Sequence, residues 1–197
     1  MYRMMPRLVR VILLTIAVVG CNPGIGRSQA QVVSWLDPSK PASWNKPDLP
    51  IPGAPPIEGN VDARCAALAR PPELEEDKHL RDQGWNLVGA YQGGWQILVI
   101  RGTAGYDGMC RPRQYQDFVF VRGAFAGTLS PQTMESRTDG ALDRVSLQSN
   151  ARLTAEYARY SETDPLCCPS RKTIVEFELA NDPPVLRPLS ASTFPDK

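Results

Sequence analysis

The sequence predicts an α+β domain: an antiparallel sheet of about six or seven strands, with one or two N-terminal helices packed on it and disulfides stapling it. Three observations carry that expectation. Apolar residues recur at helical spacing only between residues 60 and 84. From Trp85 onward they alternate with period two, in short runs separated by turn residues. A basic and then apolar N-terminus marks the chain for export, into compartments where cysteines oxidise.

Val61, Cys65 and Leu68 stand at i, i+4 and i+7, one face of a first helix. Asn60 suits its N-cap and Pro71-Pro72 ends it. PPELEEDKHLRDQG predicts a second helix. Pro72 suits its first turn, Glu73, Glu75, Glu76 and Asp77 lead, Lys78, His79 and Arg81 trail, and Gly84 supplies the stop. The strands follow. WNLVGAY alternates, QGG turns, and WQILVIRG is apolar on both faces from Ile97 to Ile100, as a central strand is. GYDGMCRPRQ is a loop holding Cys110. YQDFVFVRG, the short return AFAGTLS, RVSLQS, ARLTAEYARY and KTIVEFEL complete the set. Short connections imply antiparallel pairing. The domain therefore spans residues 59–181, and the proline-rich stretch 182–197 predicts a flexible tail.

Ahead of the domain, Arg3, Arg7 and Arg10 precede an apolar run from Val11 to Gly20 that is too short to span a bilayer. Residues 1–20 have the form of a signal peptide. The run closes on Val18-Val19-Gly20-Cys21, the pattern of a bacterial lipobox, in which the cysteine is acylated and becomes the mature N-terminus. Cys21 is the expected lipidation site and the membrane the expected partner through it. Cleavage after Ala30, in Ser28-Gln29-Ala30, is the competing reading and gives a soluble periplasmic or secreted protein. Residues 21–58 predict a linker: eight of the chain's 19 prolines fall there, which favours an extended, semi-rigid spacer. Trp35 and Trp44 within it are expected to patch the domain surface.

The whole chain carries 22 basic and 21 acidic residues. Removing residues 1–20 takes away three arginines and no acid, so the chain from Cys21 has 19 basic residues against 21 acidic ones. Such a surface has no electrostatic reason to bind nucleic acid.

The usual catalytic signatures do not occur. His79 is the one histidine, in a charged helical stretch, so no zinc-hydrolase set can be built. G-x-S-x-G, the P-loop and G-x-G-x-x-G are missing, and no cofactor or metal is implied. Asp139, Asp143, Glu156, Glu162 and Asp164 are carboxylates of the type a glycosidase uses, but each stands where a turn or exposed strand face puts one anyway.

Setting Cys21 aside leaves Cys65, Cys110, Cys167 and Cys168, an even number in an oxidising compartment, which predicts two disulfides. In an extended stretch adjacent side chains point to opposite faces. Cys167 and Cys168 would then reach two partners, one taking Cys65 and the other Cys110, with the order open. A bridge between the two neighbours, and a redox or metal role for the pair, are the alternatives.

YARYSETDPLCCPSRKTIVEFEL (157–179) resembles the C-terminal signature of the LppP/LprE lipoprotein family. The motif residues are Asp164, Pro165, Cys167, Cys168, Pro169 and Ser170, and FVFVRGAFAGTLS resembles that family's hydrophobic hairpin. The resemblance covers residues 80 to 180 and implies an uncharacterised bacterial cell-envelope lipoprotein, without catalytic residues to carry over. The reading that follows is a non-catalytic, exported envelope lipoprotein that serves as a binding or assembly-support module for an envelope protein or small ligand. The alternative is an exported enzyme using carboxylates or a redox cysteine pair.

Overall fold

The period-two alternation that begins at Trp85 is realised as eight strands in two antiparallel sheets. The computed structural model describes residues 33–57 and 63–196, all within the unit Val33–Lys197. Residues 1–20, expected as a signal peptide, and Cys21, Ala30, Asn60 and Val61 lie outside the described residues.

Strands β1 (Asn86–Gly94), β2 (Ile97–Tyr106), β3 (Pro112–Val121) and β4 (Ala124–Thr128) form the first sheet in that order. Strands β5 (Leu142–Ser149), β6 (Arg152–Arg159), β7 (Arg171–Asn181) and β8 (Pro184–Pro195) form the second. Each sheet is a meander, as tight turns require. The expected single sheet of six or seven strands is thus corrected to two sheets of four.

Residues two apart share a sheet face, so alternate positions meet in one core. Ile97 and Val99 of β2 and Val119 and Val121 of β3 pack with Leu153, Ala155 and Tyr157 of β6 and Val175, Phe177 and Leu179 of β7. Burying one such side chain contributes about 1.5–3 kcal/mol. The opposite face of the first sheet carries a second cluster: Leu87, Ile100, Phe118 and Phe120, with Trp85 and Leu80. Strand β3 is therefore buried on both faces from Tyr115 to Val121, which suits the apolar run Phe118–Val121.

The helices are smaller than their periodicity suggests. α1 is one turn, Ala63–Ala66, and the chain then turns at Cys65–Ala69, leaving Leu68 exposed where the helical spacing would bury it. A single turn is marginal without packing, and of Arg64, Cys65 and Ala66 only Cys65 is buried. α2 (Glu75–Asp82) ends as expected, with Gly84 at φ +86°. Asp77 anchors its start, accepting from the amides of Glu73 and Leu74 and pairing with Arg70. Burial pushes the Asp77 carboxyl up, but these partners outweigh it and hold the pKa below the ordinary value.

Two proline-rich segments depart from expectation. Residues 184–195 are strand β8, not a loose tail: Val185 and Leu186 are buried, and β8 pairs with β7 along its length. Pro184 and Pro195 sit at its ends and Pro188 at a bulge, positions where a missing amide is tolerated on an edge strand. Residues 33–57, expected within the linker, form a strap packed on the domain. Trp35 meets Tyr157 edge-on at 5.1 Å and Trp44 meets Phe177 at 6.0 Å. Leu36 is fully buried, and Trp85 Nε1 donates to the Pro52 carbonyl at 2.7 Å. Proline keeps such a strap extended without needing ladder partners, while the tryptophans supply its burial.

The strap also joins the sheets. Asn45 Nδ2 donates to the carbonyls of Thr128 on β4 and Leu186 on β8, and its Oδ1 accepts from the Thr128 amide. This closes the β4–β8 side. On the opposite side the edge strands β1 and β5 are not paired with each other, leaving a seam, and β1 takes a bridge from Ala69 at Val88.

Candidate functional site

The seam is held at its base by side chains of the first sheet that bond to the backbone of the second. Arg101 on β2 shares the face of Ile97 and Val99, opposite its cross-strand partner Asp117 on β3. Its Nε donates to Asp117 Oδ1 at 2.9 Å and its Nη2 to the Leu142 carbonyl at 3.3 Å. The guanidinium lies 4.5 Å from the centre of the Tyr115 ring, a cation–π contact. Tyr115 Oη accepts from the Leu142 amide at 2.8 Å. Both polar backbone groups of Leu142, where β5 begins, are thus satisfied from across the seam.

Above this base opens a cleft of about 490 Å³. Arg101, Tyr115, Leu142 and Tyr157 reach its floor, while Arg144, Glu156 and Lys172 stand on the strands of the second sheet. A second cavity of about 210 Å³ runs on between β5 and the irregular stretch of β1 between Val88 and Gln92. The two share Arg101, Leu142, Asp143 and Arg144.

Burial and pairing shift the titration of the floor groups. Burial pushes the Tyr115 hydroxyl up to about 12, with Arg101 pulling the other way. Burial raises Tyr157 well above the ordinary value, and its hydroxyl donates to the Leu129 carbonyl. Burial works against the Arg101 charge, but Asp117 more than restores it and its pKa is raised. Burial raises Asp117 in turn, against the attraction of Arg101. On the rim, Lys172 lies 3.7 Å from Glu156 and 4.0 Å from Asp196. Arg137 and Arg144 are exposed and make no salt bridge among the described residues.

The expected cysteine pairing is corrected. Cys65 on α1 bridges Cys110 in the β2–β3 loop, with Cα atoms 4.9 Å apart, and Cys167 pairs with its neighbour Cys168. The physical reason is that residues 161–170 are not extended. Asp164 accepts from the amide and hydroxyl of Ser161, at 2.8 and 2.7 Å, and from the amide and hydroxyl of Ser170, at 2.9 and 2.8 Å. These four bonds curl the segment into a closed loop that presents both cysteines to solvent. The motif residues Asp164 and Ser170 are therefore the two ends of a clamp, with Pro165, Cys167, Cys168 and Pro169 between them. Cys167 and Pro169 line the cleft.

Of the candidate carboxylates, Asp143 and Glu156 come together on the cleft. Asp139 is held by Arg159, which also pairs with Asp37 of the strap at 2.6 Å. Asp164 serves the loop, and Glu162 is exposed within it. His79 is exposed on α2. Arg101 and Tyr115 belong to no motif in the sequence. The one signal is a cation inside the otherwise apolar run Ile97–Ile100 and beyond, in phase with the inward-facing positions.

Among the described residues no group of three or more His, Cys, Asp or Glu could hold a metal ion, and no helix is long and apolar enough to cross a membrane. The family model described as LppP/LprE lipoprotein matches residues 94–182, from the β1–β2 turn to the β7–β8 turn. No curated protein and no solved structure matches the chain.

Proposed function

We propose, from the match of residues 94–182 to the LppP/LprE lipoprotein family model, that the chain is an exported envelope protein, lipid-anchored at Cys21, that binds a small anionic ligand in the seam cleft without transforming it. Residues 22–32 would join the anchor to the strap.

The cleft carries this reading. Its floor is a fixed cation over an aromatic ring, Arg101 on Tyr115, and its rim adds Arg144 and Arg137 without salt-bridge partners among the described residues. A carboxylate or phosphate entering there would meet the guanidinium forks of Arg144 and Arg137, since Arg101 already donates to Asp117 and Leu142. Proton-transfer chemistry needs a group poised to change charge near the working pH, whereas Arg101, Tyr115 and Tyr157 keep theirs. Of the three carboxylates on the cleft, Asp143, Glu156 and Asp196, the last two already face Lys172.

Thermal-shift and calorimetric titration with small di- and tricarboxylates, inorganic phosphate and neutral sugars tests the site. Binding of an anion that weakens at least tenfold in Arg144→Ala, with unchanged melting of the free protein, is expected. Equal binding by wild type and variant sinks the assignment. For the anchor, Cys21→Ser moves the protein from the membrane to the soluble fraction. Unchanged partitioning contradicts lipidation.

The carboxylate-enzyme reading keeps one specific support, the meeting of Asp143 and Glu156 on the same cleft. Hydrolysis of a glycosidic substrate, abolished by either Asp143→Asn or Glu156→Gln, would establish it in place of the binding reading.

A further inference from the structure

The two disulfides of this chain sit in opposite environments. Cys65 is wholly buried, and its bridge to Cys110 closes 45 residues of chain between the helical segment and the first sheet. Cys167 and Cys168 are both exposed, next to Leu166 at 67% exposure, on a loop that contributes no residue to either hydrophobic cluster. A disulfide exchanges by in-line attack of a thiolate on one sulfur, so access decides which bridge reacts. An exposed bridge is the labile kind, and a buried one is the structural kind.

We propose that Cys167–Cys168 is a thiol–disulfide exchange site, accepting two electrons from a dithiol. One thiolate of the dithiol attacks one sulfur of the pair, forming a mixed disulfide and releasing the other cysteine as a thiolate, which takes up a proton. The second thiolate of the dithiol then attacks its own sulfur in the mixed disulfide. That releases the second cysteine, again protonated, and leaves the dithiol oxidised to a disulfide. Adjacency makes the reaction reversible within the chain, because each cysteine always has its resolving partner beside it.

The loop is built to survive the change. Its closure rests on Asp164, which holds Ser161 and Ser170 by four hydrogen bonds that involve neither sulfur. Tyr160 Oη adds a bond to the Leu166 carbonyl, and the Asp196 amide one to the Ser170 carbonyl. Reduction therefore alters the cleft wall at Cys167 while the two-sheet core stays as it is. The inference stands whatever the cleft binds.

The test is graded reduction of the native, full-length mature protein with dithiothreitol, followed by alkylation and peptide mapping by mass spectrometry. Cys167 and Cys168 are expected to be labelled together, at a reductant exposure at least tenfold below that needed for Cys65 and Cys110, with unchanged melting temperature. Passing the reduced protein into an oxidised dithiol before alkylation is expected to restore the bridge and abolish the labelling. Three results overturn the proposal: both bridges opening together, labelling of Cys167 and Cys168 only in unfolded protein, or thiols already free before reduction. Failure to re-close under the oxidised dithiol overturns it equally.

Discussion

The side-chain amide of Asn45 fills the space where a Cβ of Gly127 would stand. Gly127 holds φ at +135°, so both its backbone and its bareness are used. The amide makes three hydrogen bonds there, to Thr128 twice and to Leu186 once, and so ties β4 to β8. Asn45→Ala orphans buried backbone groups on both sheets and is expected to cost about 2–3 kcal/mol in total, from about 1–3 kcal/mol per unsatisfied buried group. Gly127→Ala is expected to lose at least as much, through strain and displacement of Asn45. Urea denaturation measures both, and midpoints equal to wild type would show that the β4–β8 joint lies elsewhere.

That joint also shows what the sequence hides. The period-two runs and their turns were legible, because alternation is a local consequence of one buried face per strand. Antiparallel order was legible for the same reason. The split into two sheets was not: it depends on which inward faces meet, and Val99 and Phe177 carry no mark saying so. Composition misleads in the proline-rich segments. Proline excludes helix and central strand, yet an edge strand such as β8 and a strap such as residues 33–57 accept it. At the cleft, Asp143 and Glu156 were visible by type, and Arg101 only as an oddity in an apolar run. The cysteine pairing failed on a single premise, extension of residues 161–170, which Asp164 overrules.

The two bridges also differ in what they give the fold. Cys65–Cys110 spans 45 residues, and in the chain-entropy model a loop of that length is worth about 4 kcal/mol. Cys65→Ser with Cys110→Ser is expected to lower the unfolding free energy by about that much. Cys167→Ser with Cys168→Ser closes no chain loop and is expected to leave it within about 0.5 kcal/mol. Chemical denaturation of the two double variants side by side decides it. Equal losses would mean that the exposed pair is structural after all.

Arg101 is the partner that makes a buried Asp117 tolerable. Arg101→Met removes it, leaves a carboxylate unpaired in the core, and is expected to cost about 3–5 kcal/mol at neutral pH. Adding Asp117→Asn recovers most of that loss, since the stranded charge is gone. The pH dependence follows from the direction of the Asp117 shift. Burial raises its folded pKa, so the protonated form favours folding below the unfolded value, and that contribution is lost as pH rises through the folded value. Without Arg101 the folded pKa climbs further, so Arg101→Met should lie closest to wild type in mild acid and fall away towards pH 8. Stability curves at several pH values check this, and a loss independent of pH would assign it to packing alone.

Asp164 titrates in the opposite sense. The amide and hydroxyl of Ser161, then those of Ser170, hold its carboxylate well below the usual range. A depressed pKa stabilises above the unfolded value, near 3.9 for an aspartate, and that support is lost as pH falls through the folded value. Because the loop touches neither hydrophobic cluster, the effect is local to residues 161–170. Asp164→Asn is expected to speed amide exchange at Ser161 and Ser170 on the order of tenfold at neutral pH, as local opening becomes easier. Amides in β6 and β7, whose protection reports the core, should not change. Hydrogen exchange read residue by residue distinguishes the cases: unaltered protection at Ser170 would remove Asp164 as the clamp, and faster exchange throughout β7 would make the loop part of the global fold.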